Sequence, residues 1–100
     1  MYKVKQAKAV WQVWSVEVVL EDRAGEEVRY EVKITKRPIP NVPDIPELHC
    51  EVTDPKTEEH WLLDPMMETR GFLSVKYIEG VAGYAAKKVH EQRENRVEKT

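Results

Sequence analysis

The chain is poor in cysteine and in long apolar runs, and each shortage limits what the protein can be. Cys50 is the only cysteine among 100 residues, so no internal disulfide can form, which favours a reducing compartment. No apolar run approaches the roughly 20 residues that span a bilayer. The first eight residues carry lysines but no apolar signal-peptide core. We therefore expect a cytoplasmic protein with no membrane segment.

Groups that could bind a metal or perform catalysis are also few. The three histidines and one cysteine do not occur in the paired short spacings of zinc sites, and adjacent His49 and Cys50 should point to opposite faces of a strand. Glu31-Val-Lys33 has the acid-x-lysine spacing of metal-dependent nucleases, but alternating charges on an exposed strand explain it equally well. Because no group of converging reactive residues is evident, we expect no metal, no cofactor and no enzymatic activity.

The apolar pattern predicts strands first and a helix last. Residues 9–21 are rich in β-branched and aromatic side chains, and residues 28–35 alternate strictly between apolar and polar. With a turn at residues 22–26 they form a predicted hairpin. Because residues 9–21 are apolar on both faces, that strand is either central or bulged near its start. Shorter alternating segments predict a third strand at 48–53 and a fourth at 60–64.

A C-terminal helix completes the predicted fold. Val81, Ala85 and Val89 repeat at the spacing of one helix face. Residues 72–78 fit either a fifth strand or the start of this helix, and the charged residues 94–100 should fray. The order predicts a single α+β domain over residues 1–100, with a four- to five-stranded antiparallel sheet and one helix packed across it.

Prolines are concentrated between the second and third strands. Residues 37–46 hold four of the six prolines, and three of these recur every third residue, as in a polyproline II helix. Proline donates no ladder hydrogen bond, so we predict a rigid inter-strand loop over residues 37–46. Arg37, Pro40 and Pro43 also match a basic-x-x-Pro-x-x-Pro ligand pattern. The architectural interpretation, a stiff crossing between two hairpins, is the favoured one.

Charge is distributed unevenly along the chain although the net charge is only −2. One lysine accompanies eight acidic residues in the middle third, residues 38–68, whereas both ends are mildly basic. An acidic field repels phosphate and attracts a basic protein surface. This middle third is the first candidate for a binding surface, and the favoured alternative is that its acids are scattered over several solvated faces.

These observations favour a small non-enzymatic interaction or regulatory module that contacts a basic partner protein. Inhibitors encoded by phages or mobile elements are one such class, suggested by size alone. The predicted contact residues lie in the proline loop and on the turn and strand beyond it: Arg37, Pro40, Pro43, Asp44, Glu58 and Trp61.

Two other interactions are considered. A long apolar first strand at a sheet edge would favour a homodimer. The alternative function is nucleic-acid binding through basic residues of the N-terminus and the helix, namely Lys3, Lys5, Lys8, Lys87, Lys88 and Arg93.

Overall fold

The computed structural model of the chain describes residues 2–7, 12–39, 42–67 and 74–98. It shows an antiparallel sheet with strand order β1-β2-β3-β4, a short β5 also paired with β3, and one helix packed on the sheet. The predicted α+β class is therefore confirmed. In chain order the elements are β1 (Gln12–Glu21), β2 (Glu27–Ile39), β3 (Val42–Thr53), β4 (His60–Leu62), β5 (Met66–Met67) and α1 (Val75–Glu98).

The first two strands form the predicted hairpin. Their register runs without a break from Gln12 opposite Lys36 to Glu21 opposite Glu27. Asp22 closes the turn by accepting backbone N–H groups on its carboxylate, and Gly25 supplies the positive φ of 80° that the turn requires. β1 lies at the edge of the sheet, so of the two alternatives for this strand the central position is not found, and its described part, Gln12–Glu21, has no bulge.

The core lies between α1 and one face of the sheet. Apolar residues of β2 and β3 alternate with polar ones, and the apolar set points to the helix. The helix contributes residues spaced three and four apart, several of them alanines that allow close approach. The buried set is Tyr30, Val32, Ile34, Leu48, Cys50, Val52, Ile78, Val81, Ala82, Ala85, Ala86 and Val89.

The helix begins at Val75, so the fifth strand considered for residues 72–78 is not formed within its described part, residues 74–78. Ser74 caps the helix: its hydroxyl accepts the N–H of Tyr77 at 3.1 Å, and its carbonyl accepts the N–H of Ile78 at 3.0 Å. A serine in this position satisfies backbone donors that the first turn leaves unpaired. The small fifth strand lies instead at Met66–Met67, after Pro65.

The helix continues to Glu98, so residues 94–98 of the segment predicted to fray are helical, and the fraying itself stays a prediction. Within this segment Glu94 is anchored: its carboxylate lies 3.3 Å from Nε of Arg23 and 2.9 Å from Nε2 of His90. No helix in the described residues has both the length and the apolar character needed to cross a membrane.

Most of the predicted proline loop is strand. β2 reaches Ile39 and β3 begins at Val42, with Pro38 opposite Pro46 and a register shift between Pro38 and Ile39. The prediction of a loop is therefore wrong for residues 37–39 and 42–46, and residues 40 and 41 lie outside the described residues. Polyproline II and β backbones occupy neighbouring regions of φ/ψ space, and proline is tolerated where no ladder hydrogen bond is needed or at a bulge. Within the described residues no further strand pairs with Pro38 or Pro46.

Candidate interaction surface

The residues predicted to form one contact surface lie at two ends of the sheet. Arg37, Pro43 and Asp44 lie toward the tip of the β2–β3 hairpin, whereas Glu58 lies in the turn after β3. The strand from Asp44 to Thr53 is about 30 Å long at 3.3 Å per residue. The expected adjacency of loop and turn is therefore absent. A role of either group in partner binding stays a prediction.

Trp61, the remaining described member of the predicted set, lies on the helix side of the sheet. It is opposite Val52 and packs half-buried against the core. The guanidinium of Arg93 stacks over its ring, with 5.1 Å from the guanidinium carbon to the ring centroid. Trp61 thus packs against the core on the helix side of the sheet. Pro40 lies outside the described residues.

A chain of polar contacts connects α1 to the sheet, and we call it the Tyr30–Arg93 network. The hydroxyl of fully buried Tyr30 lies 2.8 Å from Nδ1 of His90 and accepts a hydrogen bond from Arg93 at 3.2 Å. Arg93 also donates to Oδ2 of Asp54 at 2.8 Å. Asp54, at the end of β3, is only 7% exposed. The network therefore joins the last turns of the helix to two strands.

The pair at the centre of this network stays charged despite its burial. Burial by itself would raise the pKa of the Asp54 carboxyl, but hydrogen bonds from Arg93 and from the backbone N–H groups of Lys56 and Thr57 lower it below its ordinary value. Burial likewise disfavours the charged form of Arg93, yet its bonds to Asp54 and Tyr30 raise its pKa. Removing either partner of such a buried ion pair strongly destabilises the fold.

The network resembles a set of catalytic groups only superficially. It borders a shallow pocket, yet each charged member has an internal partner: Arg93 binds Asp54, and Arg23 binds Glu94. No charged group of this set is left to act on a substrate. The network is best explained as a structural connection that stabilises the packing of α1 on the sheet.

The sheet face opposite α1, which we call the outer face, carries the strongest charge pattern. Its side chains alternate with those of the core, and most are exposed. Among the side chains that the structure describes, six glutamates lie on it against three cations. They are Glu17, Glu21, Glu27, Glu31, Glu47 and Glu51, with Arg29, Lys33 and Arg37.

Two pairs of these glutamates lie directly opposite each other on neighbouring strands. Glu17 is opposite Glu31, and Glu21 is opposite Glu27. In the first pair Arg29 neutralises the charge of Glu17, with 2.9 Å between Nη1 of Arg29 and Oε1 of Glu17. Glu31 has no ion-pair partner among the residues that the structure describes. Like charges placed opposite each other destabilise a sheet, so the outer face retains a repulsion that an external cation would relieve.

The acidic surface is not the acidic middle third that the sequence count indicates. Of that third, Glu47 and Glu51 lie on the outer face, Asp54 is in the Tyr30–Arg93 network, and Glu58 and Glu59 lie in the turn. Its described acids are therefore dispersed, in agreement with the alternative in which they do not form one acidic region. The remaining outer-face glutamates come from β1 and β2. A count along the chain missed them because lysines and arginines of the same segment cancel them.

Cys50 is the potential nucleophile and His49 a potential metal ligand, but each is explained by its packing or its hydrogen bond. Cys50 is 3% exposed, and burial raises the pKa of its thiol, so the sulfur is protonated and shielded. His49 Nε2 lies 3.0 Å from Oε2 of Glu47 on the outer face. In the described part of the chain no three histidine, cysteine or acidic side chains are grouped closely enough to hold a metal ion.

The basic residues considered for nucleic-acid binding differ in exposure within the described part of the chain. Lys87 and Lys88 are exposed on α1, and Lys88 Nζ lies 5.6 Å from the centroid of the Tyr84 ring. Arg93, in contrast, is committed to Asp54 and the Tyr30–Arg93 network, which corrects its predicted exposure. Lys3 and Lys5 are exposed near the N-terminus, and Lys8 lies outside the described residues.

Comparisons of the chain with models of known protein families, with curated proteins and with solved structures found no match.

Proposed function

We propose that the protein is a small non-enzymatic interaction module whose outer face binds a basic surface of another protein. The observation that carries this proposal is that two pairs of glutamates lie opposite each other, Glu17 with Glu31 and Glu21 with Glu27. Sheets are stabilised by opposite charges across strands and weakened by like ones. A fold that keeps two such repulsions on one exposed face is suited to accept lysine or arginine side chains there.

Electrostatic complementarity would give this contact a fast association rate and selectivity for basic partners. A face with six glutamates against three cations attracts a positive surface and repels nucleic-acid phosphate. The unrelieved carboxylate of Glu31, near the middle of the face, is the group best placed to gain a new ion pair. The affinity should therefore fall with rising ionic strength.

The tip of the β2–β3 hairpin is a second predicted contact. The backbones of β2 and β3 continue past the helix-packed part of the sheet and bring Arg37, Pro43 and Asp44 to this end. Rigid prolines reduce the entropy lost on binding. A regulatory role in the cytoplasm, such as that of an inhibitor, is part of this proposal, and the single protected thiol of Cys50 is compatible with a reducing compartment.

Affinity capture with three matched double variants tests the proposal. Glu27→Gln with Glu31→Gln alters the outer face, and Glu58→Gln with Glu59→Gln alters the turn. Glu79→Gln with Glu91→Gln, on exposed helix positions, is the control. Each variant changes the net charge from −2 to neutral, so differences between them report position. Tagged proteins are incubated with lysate at equal concentration, and captured proteins are identified and quantified by mass spectrometry.

The outer-face variant should lose a basic partner that the helix variant retains. Because it removes two like-charge contacts, it should also be about 0.3–1 kcal/mol more stable than the unaltered protein. A gain in stability together with a loss of binding excludes misfolding as the cause. Equal capture by the outer-face and helix variants would contradict the proposal, and loss only in the turn variant would move the site to Glu58 and Glu59.

A further inference from the structure

The outer edge of β1 is an unused pairing surface. β1 is ten residues long, pairs with β2 on one side, and has no strand on its other side within the described residues. The bond from Asp22 N to the carbonyl of Glu26 sets the phase of the β1–β2 ladder. By the alternation of an antiparallel ladder, even-numbered residues of β1 bond to β2, and odd-numbered ones direct their N–H and C=O groups to the free edge.

The side chains along this edge are more apolar than an isolated edge strand normally carries. Val13 and Val19 on the outer face are 53% and 46% exposed. On the other face Trp14, Val16 and Val18 are only half-buried and line a groove beside the start of α1. Within the described part of β1 there is no proline, no lysine and no bulge to protect the edge, and its only charged residues are Glu17 and Glu21.

We propose that a second copy of this chain pairs with that edge, β1 antiparallel to β1, with Val16 of one copy opposite Val16 of the other. This register keeps both helices on the same side of one continuous sheet. It pairs Val13 with Val19 and Ser15 with Glu17, each pair occurring twice by symmetry. The inference concerns the edge of the sheet and does not depend on the function proposed for the outer face.

The neighbouring registers are less favourable because of charge. Centring the contact on Glu17 would place two glutamates opposite each other, and centring it on Ser15 would place Val13 opposite Glu17. Of these three registers, only the one centred on Val16 places Val13 opposite Val19. It also gives each Glu17 the hydroxyl of Ser15 as its neighbour. β1 is thus self-complementary in the way that a two-fold contact requires.

The expected contact is modest in size. Four odd-numbered residue pairs with two hydrogen bonds each give about eight new backbone bonds. The half-buried rows of the two copies meet beside the groove and exclude water from it. An interface built on a single strand pair lies at the low end of specific contacts, so we expect a dimer with a dissociation constant of about 1–50 µM.

Two substitutions of Ser15, one introducing a negative charge and one a positive charge, test the register. Ser15→Glu puts glutamate opposite Glu17 twice and should weaken the dimer about tenfold, whereas Ser15→Lys creates two attractive pairs and should leave it as tight or tighter. Within one copy the neighbour of Ser15 is Lys33, so the stability of the monomer should change in the reverse direction. A dimerisation effect is therefore separable from a folding effect.

The measurement is sedimentation velocity from 1 to 200 µM, which distinguishes the 11.7 kDa chain from a species of twice that mass. Adding Glu17→Lys to Ser15→Glu should restore the dimer by reversing the charge. A monomer at every concentration for the unaltered protein would overturn the proposal and leave the edge open to a strand from another protein. Equal dimerisation of Ser15→Glu and Ser15→Lys would also overturn it.

Disulfide trapping checks the same register independently of affinity. Val16→Cys places two thiols in a directly opposed pair with Cα atoms about 4.5–5.5 Å apart, within reach of a disulfide. Val18→Cys is the control, because its two copies would lie four residues apart along the strands. Oxidation should yield a covalent dimer for the first variant only. Equal cross-linking of both, or of neither, would refute the register.

Discussion

Substituting Arg93 should destabilise the fold more than any other surface-charge change on the described helix, and the structure explains by how much. Arg93→Met keeps most of the apolar stem but leaves Asp54, whose side chain is 9% exposed, without its partner. Breaking a buried ion pair costs about 3–5 kcal/mol. Because the Arg93 side chain is 29% exposed, water offsets part of this cost. Loss of the stacking on Trp61 adds about 0.5–1 kcal/mol.

We therefore expect a total loss of about 3 kcal/mol for Arg93→Met. For a domain of this size that corresponds to a fall in Tm of roughly 12–24 °C. Urea denaturation followed by the fluorescence of the tryptophans gives the free energy of unfolding, and thermal melts give Tm. Circular dichroism of the variant should retain the helix signal, since the substitution leaves the capped start of α1 untouched.

Arg29→Met is the matched control. Arg29 and Glu17 are separated by 2.9 Å, nearly the same distance as Arg93 and Asp54, but their side chains are 60% and 59% exposed. An exposed pair of this kind contributes less than about 1 kcal/mol. The comparison thus holds the distance constant and varies the burial.

A double-mutant cycle completes the test. Asp54→Ala, Arg93→Met and the double variant should show a coupling energy of at least about 1 kcal/mol, because either single substitution leaves a buried charge uncompensated. The reasoning is refuted if Arg93→Met costs no more than Arg29→Met. It is refuted equally if the two losses at Asp54 and Arg93 simply add.

Three further outcomes follow from individual residues. The pKa of Asp54 is lowered in the folded state, so the stabilising effect of this carboxylate is complete above the ordinary aspartate pKa and is lost as pH falls. Asp54→Asn should therefore flatten the dependence of Tm on pH below about pH 4. An unchanged fall of Tm at acid pH would contradict this. Glu58 has φ of 62°, so Glu58→Gly should stabilise by about 0.5–1 kcal/mol, whereas Gly25→Ala, at φ of 80°, should destabilise by about 1 kcal/mol in the same urea assay. Cys50 should react with a thiol reagent only as fast as the protein unfolds, and labelling within seconds under native conditions would refute its protection.

Several elements were predictable because their signals are local. The alternation over residues 28–35, the turn with Gly25 and the helical spacing of Val81, Ala85 and Val89 each depend on neighbours in the sequence. The start of the helix was recoverable too, since Ser74 is a favourable N-cap three residues before Tyr77. It was missed because residues 72–78 also fit the alternation of a strand.

The proline segment shows where local rules mislead. Four prolines in residues 37–46 indicate an interruption, yet residues 37–39 and 42–46 lie in strands. Proline is costly only where its missing N–H would have bonded, and that depends on which strands flank it. The flanking strands are a property of the whole sheet, so the chain around the prolines could not supply the answer.

By itself the sequence determined the class of fold, the hairpin and the buried faces of its strands and helix, because hydrophobic periodicity acts over a few residues. Only the tertiary structure decided which charges meet. Asp54 and Arg93 are 39 residues apart in the sequence, yet they form a buried ion pair in the fold. Glu17 and Glu31 became neighbours through strand register. Long-range pairing and burial set the energy of a charge, and neither can be read from its place in the chain.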